Sequence, residues 1–365
     1  PWSLASSLLG AVIYAAASHR WIDAVERART FLPYLDSWET PALAVNKALQ
    51  QGPGLRALST LFEGSFHNDS NKFFPVLIEY LVSAPGGYWN PVTSIWLSAT
   101  AWIIFLALAI WVCCRQVSHP LARLTIVAVG CLVGFSPSSR FLVPFGLHRV
   151  LPLACCLGIA VLLQHQPLRW GRLLGCLGLA VVATLSFANG FLAFSVLWIA
   201  LLLSPTAVNP DAALQRRRML GLAAGLTMAF LVWYAFRLDW HHLQVHAERR
   251  GDDFLPAKIM SAFSTWVSAP SELLTGNAQT IYGHLGPDKF TIQAVAMTLG
   301  LMGAAALLVA YRAGGYIRIP SRTGALMAMM IGGFYGPTTL LLARHRSVGF
   351  ADERYFCELT LLALL

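Results

Sequence analysis

Two compact polar clusters stand near the start of this chain, and their residue types could do chemistry. The first is Asp36-Ser37-Trp38-Glu39, and the second runs from His67 to Lys72. Asp36 and Glu39 are three residues apart and flank Trp38. A carboxylate near a lipid–water boundary is partly desolvated, which raises its pKa and makes it a usable general base. Asp36 and Glu39 are therefore candidate catalytic residues, and the structural alternative is a pair of solvated loop acids that help to cap a helix.

The second cluster offers side chains that bind sugars, metals or phosphate. His67, Asn68 and Asp69 can hydrogen-bond sugar hydroxyls or ligate a metal, and the Lys72 ammonium can hold a phosphate. The alternative is an ordinary polar helix start, with Asn68 or Asp69 as its cap. No spacing in the chain is typical of a metal site, so no metal ligands are predicted.

Two later polar stretches are further candidates. One is the connector 344–355, where Arg346 and Arg354 could pair with an acid or a phosphate and Tyr355 enters the last apolar run. Its alternative is an interfacial Arg/Tyr anchor. The other is 239–250, in which His242 and His246 would share a helix face without an evident third ligand. Packing at a membrane interface is the favoured interpretation there.

The composition predicts the kind of scaffold that must position these residues. The chain has 365 residues, of which 56% are hydrophobic and only 12% charged, and its mean hydropathy is +0.60. Such a chain is typical of an all-α, polytopic membrane protein whose helices satisfy their own backbone hydrogen bonds. The net charge of +9 comes from dispersed Lys and Arg, so nucleic-acid binding is not predicted. The seven cysteines lie in or beside apolar runs and are expected to be small buried hydrophobes.

Hydropathy predicts nine membrane spans and the start of a tenth, in one transmembrane domain over residues 1–365. The predicted runs are 1–18, 92–114, 119–135, 149–164, 171–187, 190–204, 218–236, 292–311, 323–343 and 355 onward. Two long loops separate them, at 19–91 and 237–291. Because the chain begins at Pro1 and stops inside an apolar run, we expect both ends to be cut.

The short connectors predict the orientation. One alternating set of connectors carries ten arginines and Asp211 as its only acid: Arg115, Arg123, Arg169, Arg172, Arg216, Arg217, Arg218, Arg312, Arg318 and Arg322. The positive-inside rule makes that side cytoplasmic, so the N-terminus is cytoplasmic and both long loops are extracytoplasmic. Within the first loop, Thr40 could cap a short helix with Pro41 as its first residue. Residues 73–84 are expected to form an interfacial or re-entrant helix, since they are too few to span.

The layout and four short stretches resemble the GT-C fold of membrane glycosyltransferases, and more narrowly a family of bacterial multi-pass proteins of that type. In that family the first loop runs from an Asp-x-Trp-Asp/Glu motif to a His-Asn-Glu-His-Arg-like motif, and an Arg-Tyr pair lies near a late span. The matching stretches here are Asp36–Glu39, His67–Asp69, Leu185–Gly190 and Arg354-Tyr355. The chain departs from the family where it has Ser70-Asn71-Lys72 instead of His-Arg.

The resemblance implies transfer of a sugar from a polyprenyl-phosphate donor to an acceptor hydroxyl on the extracytoplasmic face of a bacterial inner membrane. It implies Asp36 as the base, supported by Glu39, which could instead bind a divalent metal such as Mg or Mn. Substrate-binding residues would be Trp38, His67, Asn68, Asp69, Lys72, Arg346, Arg354 and Tyr355. Two alternatives stay open: a lipid or solute transporter or flippase, and a non-catalytic membrane scaffold with the same fold.

Overall fold

The computed structural model describes residues 2–28, 38–67, 70–115, 117, 119–135, 146–164, 169–187, 190, 192–202 and 210–237. These residues are mostly helical, which confirms the predicted helical class. The helices are α1 (Trp2–Ala28), α2 (Ala44–Gln50), α3 (Leu55–Gly64), α4 (Phe73–Ser83), α5 (Pro91–Arg115), α6 (Pro120–Gly134), α7 (Leu147–Gln164), α8 (Trp170–Thr184), α9 (Leu192–Leu202) and α10 (Pro210–Arg237). A π-helical turn, Trp38–Leu43, leads into α2, and a single 3₁₀ turn, Ala84–Gly86, follows α4.

The long helices form a bundle in which sequence neighbours run antiparallel. On α6, Gly130 and Gly134 lie one turn apart and face Ile110 and Leu106 of α5, so the absence of two side chains lets these helices approach closely. The Trp102 indole N–H donates to the Gly134 carbonyl at 2.8 Å. Helix α1 packs along α6, while α7, α8 and α9 pack on one another and α10 packs on α8.

The bundle core consists of large apolar side chains from α5, α7, α8 and α9. Its fully buried members include Trp102, Leu106, Ile159, Leu173 and Leu197. Burying side chains of this size contributes roughly 1.5–3 kcal/mol each. The core therefore joins α5 to the later helices in one contiguous cluster.

The outer faces of several helices are also apolar. Exposed rows at helical spacing include Leu4, Leu8 and Val12 on α1, and Ile104 and Leu108 on α5. Further exposed side chains on α10 are Leu222, Leu226, Met228, Val232 and Phe236. Apolar surface of this extent indicates contact with lipid or protein instead of water.

By length and composition, two described helices could cross a membrane: Pro91–Arg115 and Leu214–Arg237. Shorter apolar helices occupy Phe73–Gly86, Pro120–Cys131, Leu147–Leu163 and Trp170–Thr184. The criterion uses length and apolar content alone, and a buried helix of a soluble protein can also meet it.

The first seven predicted apolar runs each correspond to one helix, and the runs from 292 onward lie outside the described residues. Helix α1 extends ten residues beyond the end of its apolar run at residue 18. The extension is amphipathic, since Trp21 and Val25 are 3% exposed while Arg20 and Asp23 face outward. Burial of two apolar side chains one turn apart is enough to continue the helix.

Candidate functional site

Residues 38–67 and 70–90, here called the end module, form a small separate core. Buried Ala and Val side chains of α2 pack against Ala57 and Leu61 of α3, and against Val76 and Tyr80 of α4. Gly64 allows close approach, since a Cβ there would lie 2.9 Å from the Ala44 Cβ. The predicted helix start at Pro41 is wrong: the helical segment begins at Trp38, and Pro41 lies inside the π-helical turn. Pro41 is the fourth residue of this segment, within its first turn, where a backbone N–H has no intrahelical acceptor, so proline is tolerated there.

The second polar cluster folds into a minimal hairpin that ends at α4. Strand β1 (Phe66–His67) pairs antiparallel with β2 (Ser70–Asn71). The Asn71 amide is fully buried; its Nδ2 donates to Ser65 Oγ at 3.0 Å, and its Oδ1 accepts the Phe73 backbone N–H at 2.9 Å. Asn71 therefore satisfies one of the free N–H groups at the start of α4, the role that the sequence assigned to Asn68 or Asp69.

Lys72 lies between this hairpin and α4, and only 5% of its surface is exposed. Its backbone N–H donates to the Ser65 carbonyl at 2.9 Å. A lysine is rarely buried this deeply in a folded protein. The polar surroundings provided by Ser65 and Asn71 make this position unusual within an otherwise apolar module.

The end module meets the bundle where α8 ends. The Phe74 backbone N–H donates to the Leu185 carbonyl at 3.1 Å. Phe62 of α3 contacts Trp233 near the end of α10, with ring centroids 6.0 Å apart. At the far side of the module, Ser94 in the first turn of α5 donates to Glu79 of α4. The start of α5 and the ends of α8 and α10 therefore lie at the same end of the bundle.

The first turn of α7 adds two basic side chains to this end. The His148 ring packs edge-on against Phe187, with centroids 4.7 Å apart. Arg149 Nε donates to His148 Nε2 at 3.3 Å. His148 is buried, and Arg149 is partly exposed. Helix α7 also contacts α4, so the two basic residues border the same junction.

Glu79 is the most deeply buried charged side chain among the described residues, at 1% exposure. Its Oε2 accepts the Trp89 indole N–H at 3.0 Å, and its Oε1 pairs with the Ser94 hydroxyl at 2.5 Å. Burial raises the pKa of the Glu79 carboxyl to about 7, and the hydrogen bonds from Ser94 and Trp89 partly oppose that rise. Glu79 can therefore change its charge near neutral pH.

The predicted site residues are described unevenly. Trp38, Glu39 and His67 are described through their backbone only, in the π-helical turn and in β1, while Lys72 is fully placed. The predicted residues Asp36, Asn68, Asp69, Arg346, Arg354 and Tyr355 lie outside the described residues, as does the stretch 239–250. Convergence of Asp36 with Arg354 therefore stays a prediction. Among the described residues, no group of three or more His, Cys, Asp or Glu is arranged to hold a metal.

Sequence reasoning missed Glu79, His148 and Arg149. For Glu79 a signal was present, because it is the only charged residue in the apolar helix FFPVLIEYLVS. An isolated carboxyl in such a helix must find hydrogen-bond donors or lose its charge. His148 and Arg149 open an apolar run and resemble interfacial anchors, so nothing in their local pattern distinguished them.

Comparisons with known proteins identify no relative. No family model matches the chain, and neither curated proteins nor solved structures give a match.

Proposed function

We propose that this chain is a membrane glycosyltransferase that acts at the bundle end occupied by the end module. It would transfer a sugar from a polyprenyl-phosphate donor to an acceptor hydroxyl on the extracytoplasmic face. One observation supports this most strongly. The Phe74–Leu185 hydrogen bond joins the start of α4, which directly follows the polar cluster 67–72, to the first residue of the stretch 185–190 that the resemblance to GT-C enzymes singles out. They are more than a hundred residues apart in sequence.

The distribution of apolar and charged side chains supports a membrane location. Outward rows of leucine, isoleucine and valine surround the bundle, as expected for a lipid-facing surface. Arg115 ends α5, whose first turn meets the end module, and Arg169 precedes α8, whose C-terminal end meets it, so both lie at the opposite end. Arg123 donates to the Val117 carbonyl just after α5, and Arg216 donates to the Leu201 carbonyl at the end of α9. The positive-inside rule would make that arginine-rich end cytoplasmic and the end module extracytoplasmic. A multi-pass protein of a bacterial inner membrane fits this arrangement.

The roles proposed for individual residues follow the chemistry of their side chains. Asp36 would take the proton of the acceptor hydroxyl, and Glu39 would support it. Lys72, Arg346 or Arg354 would bind the donor phosphate, while Trp38, His67, Asn68, Asp69 and Tyr355 would bind the sugar or line the site. A divalent metal such as Mg or Mn is one proposed companion of Glu39, and no step of the transfer depends on it here.

The test is sugar transfer by the full chain in phospholipid vesicles that contain polyprenyl-phosphate donors labelled in the sugar. Donors that carry different labelled sugars are each tested with an extract that contains water-soluble acceptors. We expect the label to move from the lipid to an acceptor for at least one of these sugars. Asp36→Asn should lower the rate by at least about 100-fold, since general-base catalysis contributes roughly 10²–10⁴-fold. Lys72→Ala should raise the KM for the donor, whereas Lys47→Ala, an exposed lysine of α2, should change neither constant.

The same vesicles distinguish the alternatives. Movement of intact labelled donor between leaflets, without transfer of sugar, would refute the enzyme and identify a flippase. If the folded protein neither transferred the sugar nor moved the donor between leaflets for any donor tested, the non-catalytic scaffold would be the remaining interpretation. Equal transfer by the Asp36→Asn variant would refute the assigned base.

A further inference from the structure

The Glu79 side chain links α4 to the connector before α5 and to the first turn of α5. These links determine where the start of α4 lies. The two carboxyl oxygens of Glu79 engage different partners: Trp89 in the connector before α5, and Ser94 inside α5. Trp89 is in turn fixed to α2, since its backbone N–H donates to Asn46 Oδ1 at 2.8 Å. The Trp89–Glu79, Ser94–Glu79 and Trp89–Asn46 hydrogen bonds all depend on direction. Together they fix the position of α4 along its axis and oppose its sliding.

We propose that Glu79 is a positioning residue that holds α4 to the rest of the end module through Trp89 and to the bundle through Ser94 of α5, and that its ionisation loosens this attachment. The buried face of α4 supports the mechanical part of this proposal. Lys72, Pro75, Val76, Glu79 and Ser83 are all buried and follow one another at helical spacing. Lys72 and Glu79 are seven residues apart and lie on the same face, so a displacement of α4 at Glu79 is transmitted to Lys72 and to the Phe74–Leu185 hydrogen bond.

Among the described residues, Glu79 has two hydrogen-bond donors and forms no salt bridge. The elements packed on α4 are α2, α3, α7, the first turn of α5 and the two irregular turns. Their titratable or charged groups are Glu39 of the π-helical turn, Lys47 of α2, Arg56 and Glu63 of α3, and His148, Arg149, Cys155 and Cys156 of α7, and α4 itself adds Lys72 and Tyr80. Lys47, Arg56 and Glu63 are exposed to solvent. Both polar atoms hydrogen-bonded to Glu79 belong to neutral side chains, Trp89 and Ser94.

The direction of the pH effect follows from burial. Removing a carboxyl from water disfavours its charged form, so the attached module retains a proton that the detached module releases. Attachment is therefore strongest at low pH and weakens as the pH rises through the folded-state pKa of about 7. Both hydrogen bonds can survive protonation, because the Ser94 hydroxyl can donate to a carboxylate or accept from a carboxylic acid.

The test is hydrogen exchange of residues 73–90 in the full chain, with each rate divided by its intrinsic chemical rate. From an ordinary pKa of 4.5 and a folded value of about 7, linkage gives about 30-fold less protection at roughly pH 8.5 than at roughly pH 5.5. Glu79→Gln can keep both hydrogen bonds without a charge, so its corrected protection should not vary with pH. Glu79→Ala should lose protection at every pH, because the buried Trp89 indole N–H loses its acceptor.

Glu63→Gln is the matched control, because Glu63 is an exposed carboxyl of the same module and should leave the wild-type pH response unchanged. A pH response of Glu79→Gln equal to that of the wild type would refute the proposal, as would wild-type protection that is constant over this range. Exchange requires no substrate, so this result is independent of the proposed function. Only the further expectation that sugar transfer weakens with the attachment depends on that function.

Discussion

Replacing Gly190 by alanine tests the turn after α8, in which the Leu185 carbonyl binds the end module and the Phe187 ring packs on His148 of α7. The turn is closed by a hydrogen bond from the Gly190 N–H to the Phe187 carbonyl at 2.9 Å. A Cβ at Gly190 would overlap the carbonyl group of Ala183 and would lie 2.8 Å from the Thr184 backbone nitrogen. All three obstructing atoms belong to the backbone of α8, so no side-chain rotation can relieve the overlap.

The size of the stability loss in Gly190→Ala depends on which atoms must move to make room for the Cβ. Inserting one carbon into a packed interior typically costs about 1–3 kcal/mol. Because the end of α8 must shift as a unit, we expect a loss near the upper end of this range. Gly178→Ala is the matched control: Gly178 is exposed on the same helix and a Cβ there meets nothing within 4 Å. Alanine should be neutral or stabilising there by up to about 1 kcal/mol, as helix propensity predicts.

The assay is thermal unfolding of the detergent-solubilised chain, followed by a dye that reacts with newly exposed thiols. Buried Cys155, Cys156 and Cys176 lie in α7 and α8 and report on this part of the bundle. We expect a melting temperature several degrees below that of the wild type for Gly190→Ala alone. Equal melting temperatures for Gly190→Ala, Gly178→Ala and the wild type would show that the α8 turn is not packed as described.

Three further predictions concern the module core, the bundle core and pH. Leu61→Ala removes a fully buried side chain and should lower the stability of the end module by about 2–5 kcal/mol. Hydrogen exchange in α3 and α4 should then become faster. Unchanged exchange would show that Leu61 is not packed in the module core. Trp102→Phe removes the N–H that binds the Gly134 carbonyl and should lower bundle stability by about 1–3 kcal/mol, as measured by thiol labelling. The folded pKa of Glu79 is about 7, above its ordinary 4.5. The contribution of this shift to the free energy of unfolding is therefore complete below about pH 4.5, is lost as the pH rises through 7, and totals about 3 kcal/mol. Proteolysis of the end module should accelerate over that interval in the wild type, but not in Glu79→Gln.

Hydropathy located the helices well, because each long apolar run has few other ways to satisfy its backbone in an apolar environment. Their ends were less predictable. Helix α1 continues to Ala28 because Trp21 packs against Phe135, the residue that follows α6, with centroids 5.7 Å apart. That contact joins residues more than a hundred positions apart, so no local pattern contains it. The helix before Gln50 likewise begins at Trp38 and not at Pro41, since a π-helical turn has no clear sequence signal.

The candidate site was predictable where a residue type contrasts with its neighbours. Lys72 follows a polar cluster and precedes an apolar helix, and the sequence identified it as a candidate. Its deep burial was not predictable, because burial depends on the module folding against the ends of α8 and α10. His148 gains its contact with Phe187 only through the antiparallel packing of α7 and α8. Tertiary contacts of this kind require the topology before any residue can be assigned to a site.

The burial of Glu79 is better explained by specificity than by stability. An apolar side chain of similar volume would avoid the cost of desolvating a carboxyl, and replacing buried charged groups in this way is often neutral or stabilising. A leucine would, however, pack nearly as well after α4 slid along α5, because apolar contacts have no direction. The carboxyl must meet an indole N–H and a hydroxyl together, and only one register of α4 satisfies both. The same register fixes the start of α4, where the Phe74 backbone N–H donates to the Leu185 carbonyl at the end of α8, so the carboxyl contributes specificity of placement more than stability.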